Sequence, residues 1–357
     1  MKHLIKIAFL GDFMPGGVMT GNSDFYTPKI KSLLDECNIR IATLESAIGE
    51  GFDFDKEKME REDWRNIIYS PNHDLSKLKD LNIDAVSLAN NHIFDLGEMG
   101  LVNTLEQLDS LGIKHFGAGR NYEETVSPAI IKVNNKTLCF LGYMPSWWEA
   151  PHPSINNGPG INQFNIDIIV DDIIKYKSLY DYVFVMPHWG LEYTYLPTDR
   201  ERCFVEKMID AGADGIIGSH THQIQPTIKI KKTPVCYSLG NFFFPDFYIQ
   251  PTRPIWYPKE ETETSQIPIT YEYPESTDIY MKRIWPFRSR VGQMLFFRIG
   301  EKTNFLTKTV LLDNNNVLQP YTLSILTKLK LLIVGLAIRT HFYRYFLGIN
   351  RRIKLIK

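Results

Sequence analysis

The sequence predicts an α/β fold in which strands and helices alternate along the chain. Three observations carry that expectation. Short apolar runs suited to buried strands, such as IKIAFLG and DYVFVMP, alternate with stretches of helical spacing, such as GEMGLVNTLEQLDSLG. Residues able to hold a metal fall at or just after the C-terminal ends of those strands, where α/β sheets assemble their sites. The composition is that of an ordinary globular chain, with 357 residues, 44% hydrophobic and 23% charged.

Residues 3–10 read as the first core strand, which ends at Asp12. This run is broken by Lys6 and is too short for a signal peptide. Residues 39–48, IRIATLESAI, form a second strand and deliver Glu45. Helical spacing over 75–83 leads into a strand over 84–92 that runs into Asn90-Asn91-His92. Residues 97–112 form an amphipathic helix, with Leu101, Leu105 and Leu108 on one face and Gly112 as its stop. A strand over 137–144 and a helix over 167–180 follow, and then a strand over 181–190 that releases His188. A helix over 199–212 precedes DGIIGSHTH, which presents His220 and His222. Residues 233–244 read as a strand ending at Gly240-Asn241, and 291–300 as a return to strand. Between them, residues 245–290 form a long insertion rich in proline and aromatics, which is expected to fold over the site mouth.

Lys and Arg total 40 against 41 Asp and Glu, so no bulk attraction to nucleic acid is expected. The four cysteines are widely spaced and read as small buried hydrophobes in a reduced compartment. No run approaches the roughly 20 apolar residues of a membrane span, so a cytoplasmic chain is expected. The domain is expected to cover 1–313, followed by a basic, apolar, helical appendage over 314–357. Within it, 326–357 carries no acid, and two readings are open: peripheral contact with an anionic membrane, or packing on the domain or a partner.

Two histidines at i and i+2 would share a face in a continued strand, and in a loop they can converge. Alone, His220 and His222 fit a surface turn as well as a metal site. Asp12, Glu45, Asn91, His92 and His188, at the ends of other strands, favour the metal. A carboxylate can bridge two ions while imidazoles complete each without adding charge. Mixed oxygen and nitrogen ligands suit Mn, Fe or Zn, one or two ions, better than Mg or Ca.

GDFM (11–14), LE (44–45), LANNHIFDLGEMGL (88–101), GAGRNYEET (117–125), HWGLEY (188–193), GADGIIGSHTHQIQP (212–226) and YSLGNFFF (237–244) occur in that order. Over about residues 3–300 the chain resembles the CapA family of capsule and poly-γ-glutamate synthesis proteins, within the calcineurin-like metallophosphoesterase superfamily. That resemblance implies a metallophosphatase-like double β-sheet sandwich flanked by helices. It implies metal-ligand roles for Asp12, Glu45 (in the place of a bridging Asp), Asn91, His188, His220 and His222, and an acid or transition-state role for His92. Two departures stand out: Met14 occupies the His place of the opening D-x-H motif, and the G-D-x-x-D motif reduces to Leu44-Glu45.

Asp95, three residues after His92, either orients its ring or caps the following helix. Glu192 is a further catalytic candidate. Arg120 is a candidate for holding an anionic substrate, with a loop salt bridge as the alternative, and Asn241 is a second substrate-binding candidate at the site floor. Trp147, Trp148, Trp256 and Trp285 read as rim or core packing. His3, His73, His115, His152 and His341 have no motif around them and read as non-ligands. The expected function is a metal-dependent hydrolase in synthesis or trimming of an anionic surface polymer. The alternatives are an epimerase-like acid/base enzyme acting on a peptide, and a non-catalytic, membrane-associated component of a polymer synthase.

Overall fold

The computed structural model describes residues 4–50, 68–145, 158–249, 264–268, 280–340 and 343–347. Two mixed sheets lie face to face with helices outside each, so the expected α/β class, two sheets flanked by helices, is what the chain adopts. The first sheet runs Leu318–Tyr321, Asn304–Leu312, Val291–Ile299, Ile5–Phe13, Ile39–Leu44, Ala85–Ser87, Lys114–Phe116. Asn241–Phe243 pairs with the C-terminal end of its central strand Ile5–Phe13. The second sheet runs Thr227–Ile230, Thr233–Cys236, Gly215–Ile217, Tyr182–Pro187, Lys136–Tyr143, Ala129–Val133.

Alternation along each strand explains the layers. In Ile5–Phe13, the side chains of Ile5, Ile7 and Phe9 enter the core between the sheets, where they meet Leu138, Phe140, Phe184 and Ile217. Ala8 and Leu10 face the other way, onto Ile30 and Leu34 of the helix Pro28–Asp35 and onto Leu101, Leu105 and Leu108 of the helix Gly97–Ser110. On the outside of the second sheet, Val183, Val185 and Ile216 pack on Ile169 and Ile173 of Ile166–Lys177 and on Val205 and Met208 of Asp199–Ala211. Strands covered on both faces read as continuous apolar runs, which is why the sequence shows them as such.

Several expected elements differ in the structure. The stretch 39–48 breaks after Leu44, and Ala47–Ile48 pairs instead with Tyr69–Ser70. The stretch 233–244 is two strands in different sheets, with Gly240 at φ +64° between them. The first sheet also extends past the expected appendage boundary. After a turn at Asp313–Asn316, Leu318–Tyr321 pairs antiparallel with Asn304–Leu312. Part of 245–290 lies outside the described residues. The rest includes a small sheet in the order Phe247–Ile249, Tyr280–Ile284, Thr264–Pro268. Its base is clamped by Asp246, which accepts two hydrogen bonds of 2.6 Å from Arg290 and one of 3.0 Å from the Trp285 N–H. The four cysteines are free, three of them buried.

Candidate metal centre

The site sits where the C-terminal ends of both sheets meet. The central strand reaches it because Gly11 has no side chain: a Cβ there would lie 1.8 Å from the Gly240 carbonyl oxygen. That close approach sets Asp12 opposite Asn241 in the pairing register. Glu45 follows directly on the neighbouring strand Ile39–Leu44. From the second sheet, His188 follows Tyr182–Pro187 and pairs in a parallel bridge with Ser219.

Backbone conformation answers how His220 and His222 converge. Both leave the extended region, with φ of +93° and +48°. Left-handed backbone is unfavourable for a residue with a Cβ and persists where surrounding contacts enforce it. Here the His220 N–H donates to Asp12 Oδ2 at 3.1 Å. The His188 and His220 rings come to 4.8 Å, centroid to centroid, and His220 and His222 to 6.3 Å.

Two ligand triads result. Glu45, His188 and His220 each bring one ligand atom within 4.8 Å of the others, and so do Asp12, Glu45 and His222. Glu45 belongs to both. Its Oε1 lies 3.4 Å from His188 Nε2 and 3.7 Å from His222 Nε2. Asn91 adds a carbonyl oxygen, Oδ1, 2.8 Å from His188 Nε2.

The electrostatics fit a cation. Asp12 and Glu45 are fully buried, and Asp12 Oδ1 and both Glu45 oxygens have no hydrogen-bond partner of good geometry. Buried carboxylate oxygens left this way cost free energy that a coordinated cation would recover. Among the described residues, the only basic groups within ion-pair distance of either are histidines. Burial, and then the Glu45 charge, push the Asp12 carboxyl well up from the ordinary range. Burial also acts to raise Glu45, but His222 and His188 outweigh it and hold Glu45 down. Burial lowers both His188 and His220, the latter strongly. Burial thus favours the neutral form of these imidazoles, the form that ligates a metal.

A second set of groups orients the first. Asn241 Nδ2 donates to the Ser289 carbonyl at 3.0 Å, so its Oδ1 accepts from His222 Nδ1 at 2.9 Å. That fixes the His222 tautomer and leaves Nε2 free to face Glu45. Ser219 Oγ lies 2.9 Å from His188 Nδ1. Asn90 ties Glu45's strand to the His92 loop, donating to Leu44 O at 2.8 Å and accepting the His92 N–H at 3.0 Å. Asp95 Oδ2 accepts from His92 Nδ1 at 2.7 Å and also from the Ile68 N–H. Burial alone would lower His92, but Asp95, joined by Glu45 and Glu192, outweighs it, and the net direction is up.

Other sequence candidates fall as follows. Glu192 is half-buried and its charge acts on His92. Arg120 is engaged by Glu124 and, at 2.8 Å, by Asp109, and neither of these acids belongs to the cluster. Trp285 is buried, with its ring 4.8 Å from His222. His115 pairs with Asp109, and His73 is exposed beside Asp74. Trp147, Trp148, Trp256, His3, His152 and His341 lie outside the described residues. Ser219, Asn90 and Ser289 support the cluster without being candidate ligands. The first two stand inside the motifs GSHTH and NNH, which is the sequence signal that marks them, and Ser289 has no such signal.

The family model for the bacterial capsule synthesis protein PGA_cap matches residues 6–246, more than half of the chain and the whole of the stretch that supplies the cluster. The chain belongs to the PGA_cap family. It is 35% identical over 168 residues to the PGA biosynthesis protein CapA of Bacillus subtilis (strain 168), covering 47% of this chain and 44% of that one. To the capsule biosynthesis protein CapA of Bacillus anthracis it is 32% identical over 195 residues, covering 53% of this chain and 47% of that one. The match thus spans less than half the length of these PGA_cap relatives. The NAD nucleotidase of Haemophilus influenzae aligns in structure with a TM-score of 0.40 at 12% identity, over 89% of this chain and 54% of that one. Among the described residues, no helix is long and apolar enough to cross a membrane.

Proposed function

We propose that this PGA_cap member is a metal-dependent hydrolase that trims or processes an anionic surface polymer, poly-γ-glutamate or capsule. The observation that carries the reading is Glu45, a buried carboxylate shared by two ligand triads, with neither oxygen held by a hydrogen bond of good geometry. The polymer class is supported by what the two Bacillus relatives are named for.

In this reading one or two divalent ions, Mn, Fe or Zn, are held by Asp12, Glu45, Asn91, His188, His220 and His222. Such ions supply Lewis-acid charge and lower the pKa of water at the site. His92 holds a proton at its ring through Asp95 and delivers it to the leaving group. Glu192 favours that protonated ring. Asn241 positions His222 rather than gripping substrate, because its oxygen and its amide are both used. Arg120 has its charge already matched by two carboxylates, which favours a loop-bracing role.

Elemental analysis of the purified full chain, paired with assays on γ-glutamyl and phosphodiester model substrates before and after chelation, tests this. Retained Mn, Fe or Zn, with hydrolysis lost on chelation and restored by the metal, is the expected result. A metal-free protein that still acts on a peptide would move the site to the acid/base reading.

A further inference from the structure

The C-terminal helix Ile325–Ile338 is apolar on two opposite faces. At about 100° per residue, Leu331, Val334, Gly335 and Ile338 share one side. That side packs on the second sheet, where a Cβ on Gly335 would come within 3.0 Å of Ile228. Ile325, Leu326, Leu329, Leu332, Ile333 and Leu336 share the other side. They stand in solvent, with exposures from 42% at Ile333 to 83% at Ile325. A helix apolar all round is normally buried all round. Here only half of it is.

We propose that this outer stripe docks on an anionic membrane surface, with the helix lying in the headgroup plane. Charge supports this occupant. Lys328 and Arg339 flank the stripe on one side and Lys330 on the other. The Arg339 guanidinium reaches the Lys229 carbonyl of the adjoining edge strand, at 3.4 Å, where Lys229 and Lys232 are exposed. On the helix Asp199–Ala211, Asp199 is paired with Arg344 and Asp210 with Lys231. No Asp or Glu follows Asp313 in the sequence. A second copy of the chain is a poorer occupant, because a two-fold pairing of identical stripes would set these cations against themselves. Spanning is excluded for this element: 14 residues reach about 21 Å, short of a hydrocarbon core of about 30 Å.

The test is co-sedimentation of the full chain with phosphatidylcholine vesicles, with and without phosphatidylserine, alongside sedimentation equilibrium without lipid. One variant carries Leu329→Gln, Leu332→Gln and Leu336→Gln. These side chains are exposed, and an unchanged thermal transition checks that the fold survives. A second variant carries Lys328→Gln and Arg339→Gln. The expected result is binding that needs phosphatidylserine, weakens at least about tenfold in the leucine variant, and weakens about fivefold for each cation removed. No binding by the full chain, or equal binding by the leucine variant, overturns the proposal. So does a dimer that binds no vesicles and dissociates in the leucine variant, which would make a second copy the occupant.

Discussion

His92 Nδ1 and Asp95 Oδ2 lie 2.7 Å apart, a contact that favours ring orientation over helix capping for the acid. The helix that follows begins at Gly97 with Leu96 as its N-cap and no side-chain capping bond. Asp95 turns back to the histidine and to the Ile68 N–H instead. Its charge is the largest influence holding the His92 pKa up against burial.

Replacing Asp95 with Asn keeps the shape and removes that charge. The His92 pKa is then expected to fall, because burial is left less opposed. A ring-proton titration by NMR measures this without reference to any substrate. If His92 acts as the acid, the alkaline limb of the rate profile moves to lower pH with it. The rate is expected to drop by roughly 10- to 100-fold, with metal content unchanged. An unmoved His92 titration would show that Asp95 serves only the Ile68 backbone.

Glu45→Gln is expected to lower metal content more than any single histidine change, because both triads lose a charged ligand at once. His222→Ala touches only the triad with Asp12, and His220→Ala only the triad with His188. Metal per chain in the three variants, measured side by side after identical purification, ranks them. Equal retention in Glu45→Gln and wild type would show that Glu45 is not the shared ligand.

Asn241→Ala leaves His222 Nδ1 without its acceptor and the ring without a fixed tautomer. Metal affinity is expected to weaken by roughly 10- to 100-fold, the usual cost of losing an orienting partner. Asn241→Asp keeps an acceptor oxygen and is expected to restore much of it. A competition titration against a chromophoric chelator reads both. Weakening of substrate KM alone, with metal affinity intact, would return Asn241 to a substrate-binding role.

The candidate ligands were legible in the sequence because each stands at the end of an apolar run, and a strand end is local information. Asp12, Glu45, His188, His220 and His222 therefore meet where strand ends predict. The orienting groups were harder to see. Asn241 reaches His222 only because the chain crosses from the second sheet to the first at Gly240, so that 233–244, which reads as one strand, is two. Which sheet a strand joins is set by pairing across long sequence distances, and no local pattern records it. Likewise His220, in left-handed backbone, donates its N–H to Asp12, some two hundred positions away, a contact that no local pattern records. The edge strand Leu318–Tyr321 holds Pro320, and its buried Leu318 is followed by half-buried and exposed residues, so it gives little alternation to read.

Glu201 supplies a test that needs no ligand. It lies in the first turn of Asp199–Ala211, where Thr198 and Glu201 cap each other, and it is buried. Burial outweighs the hydrogen bonds from Thr198 and raises its pKa from 4.5 to about 7. The folded protein thus binds this proton more tightly than the unfolded chain does. The corresponding stability is fully present below about pH 4.5 and is lost as pH rises through about 7. At 1.36 kcal/mol per pH unit, the full difference is about 3 kcal/mol. Glu201→Gln keeps a carbonyl acceptor for the Thr198 N–H, which the carboxylate now takes at 2.9 Å, and it cannot ionise. Urea unfolding of both proteins across this range is expected to show wild type losing about 3 kcal/mol relative to the variant, most of it between about pH 5 and pH 8. A stability difference that stays constant with pH would show that Glu201 titrates alike in the folded and unfolded chain, and that its burial carries no such penalty.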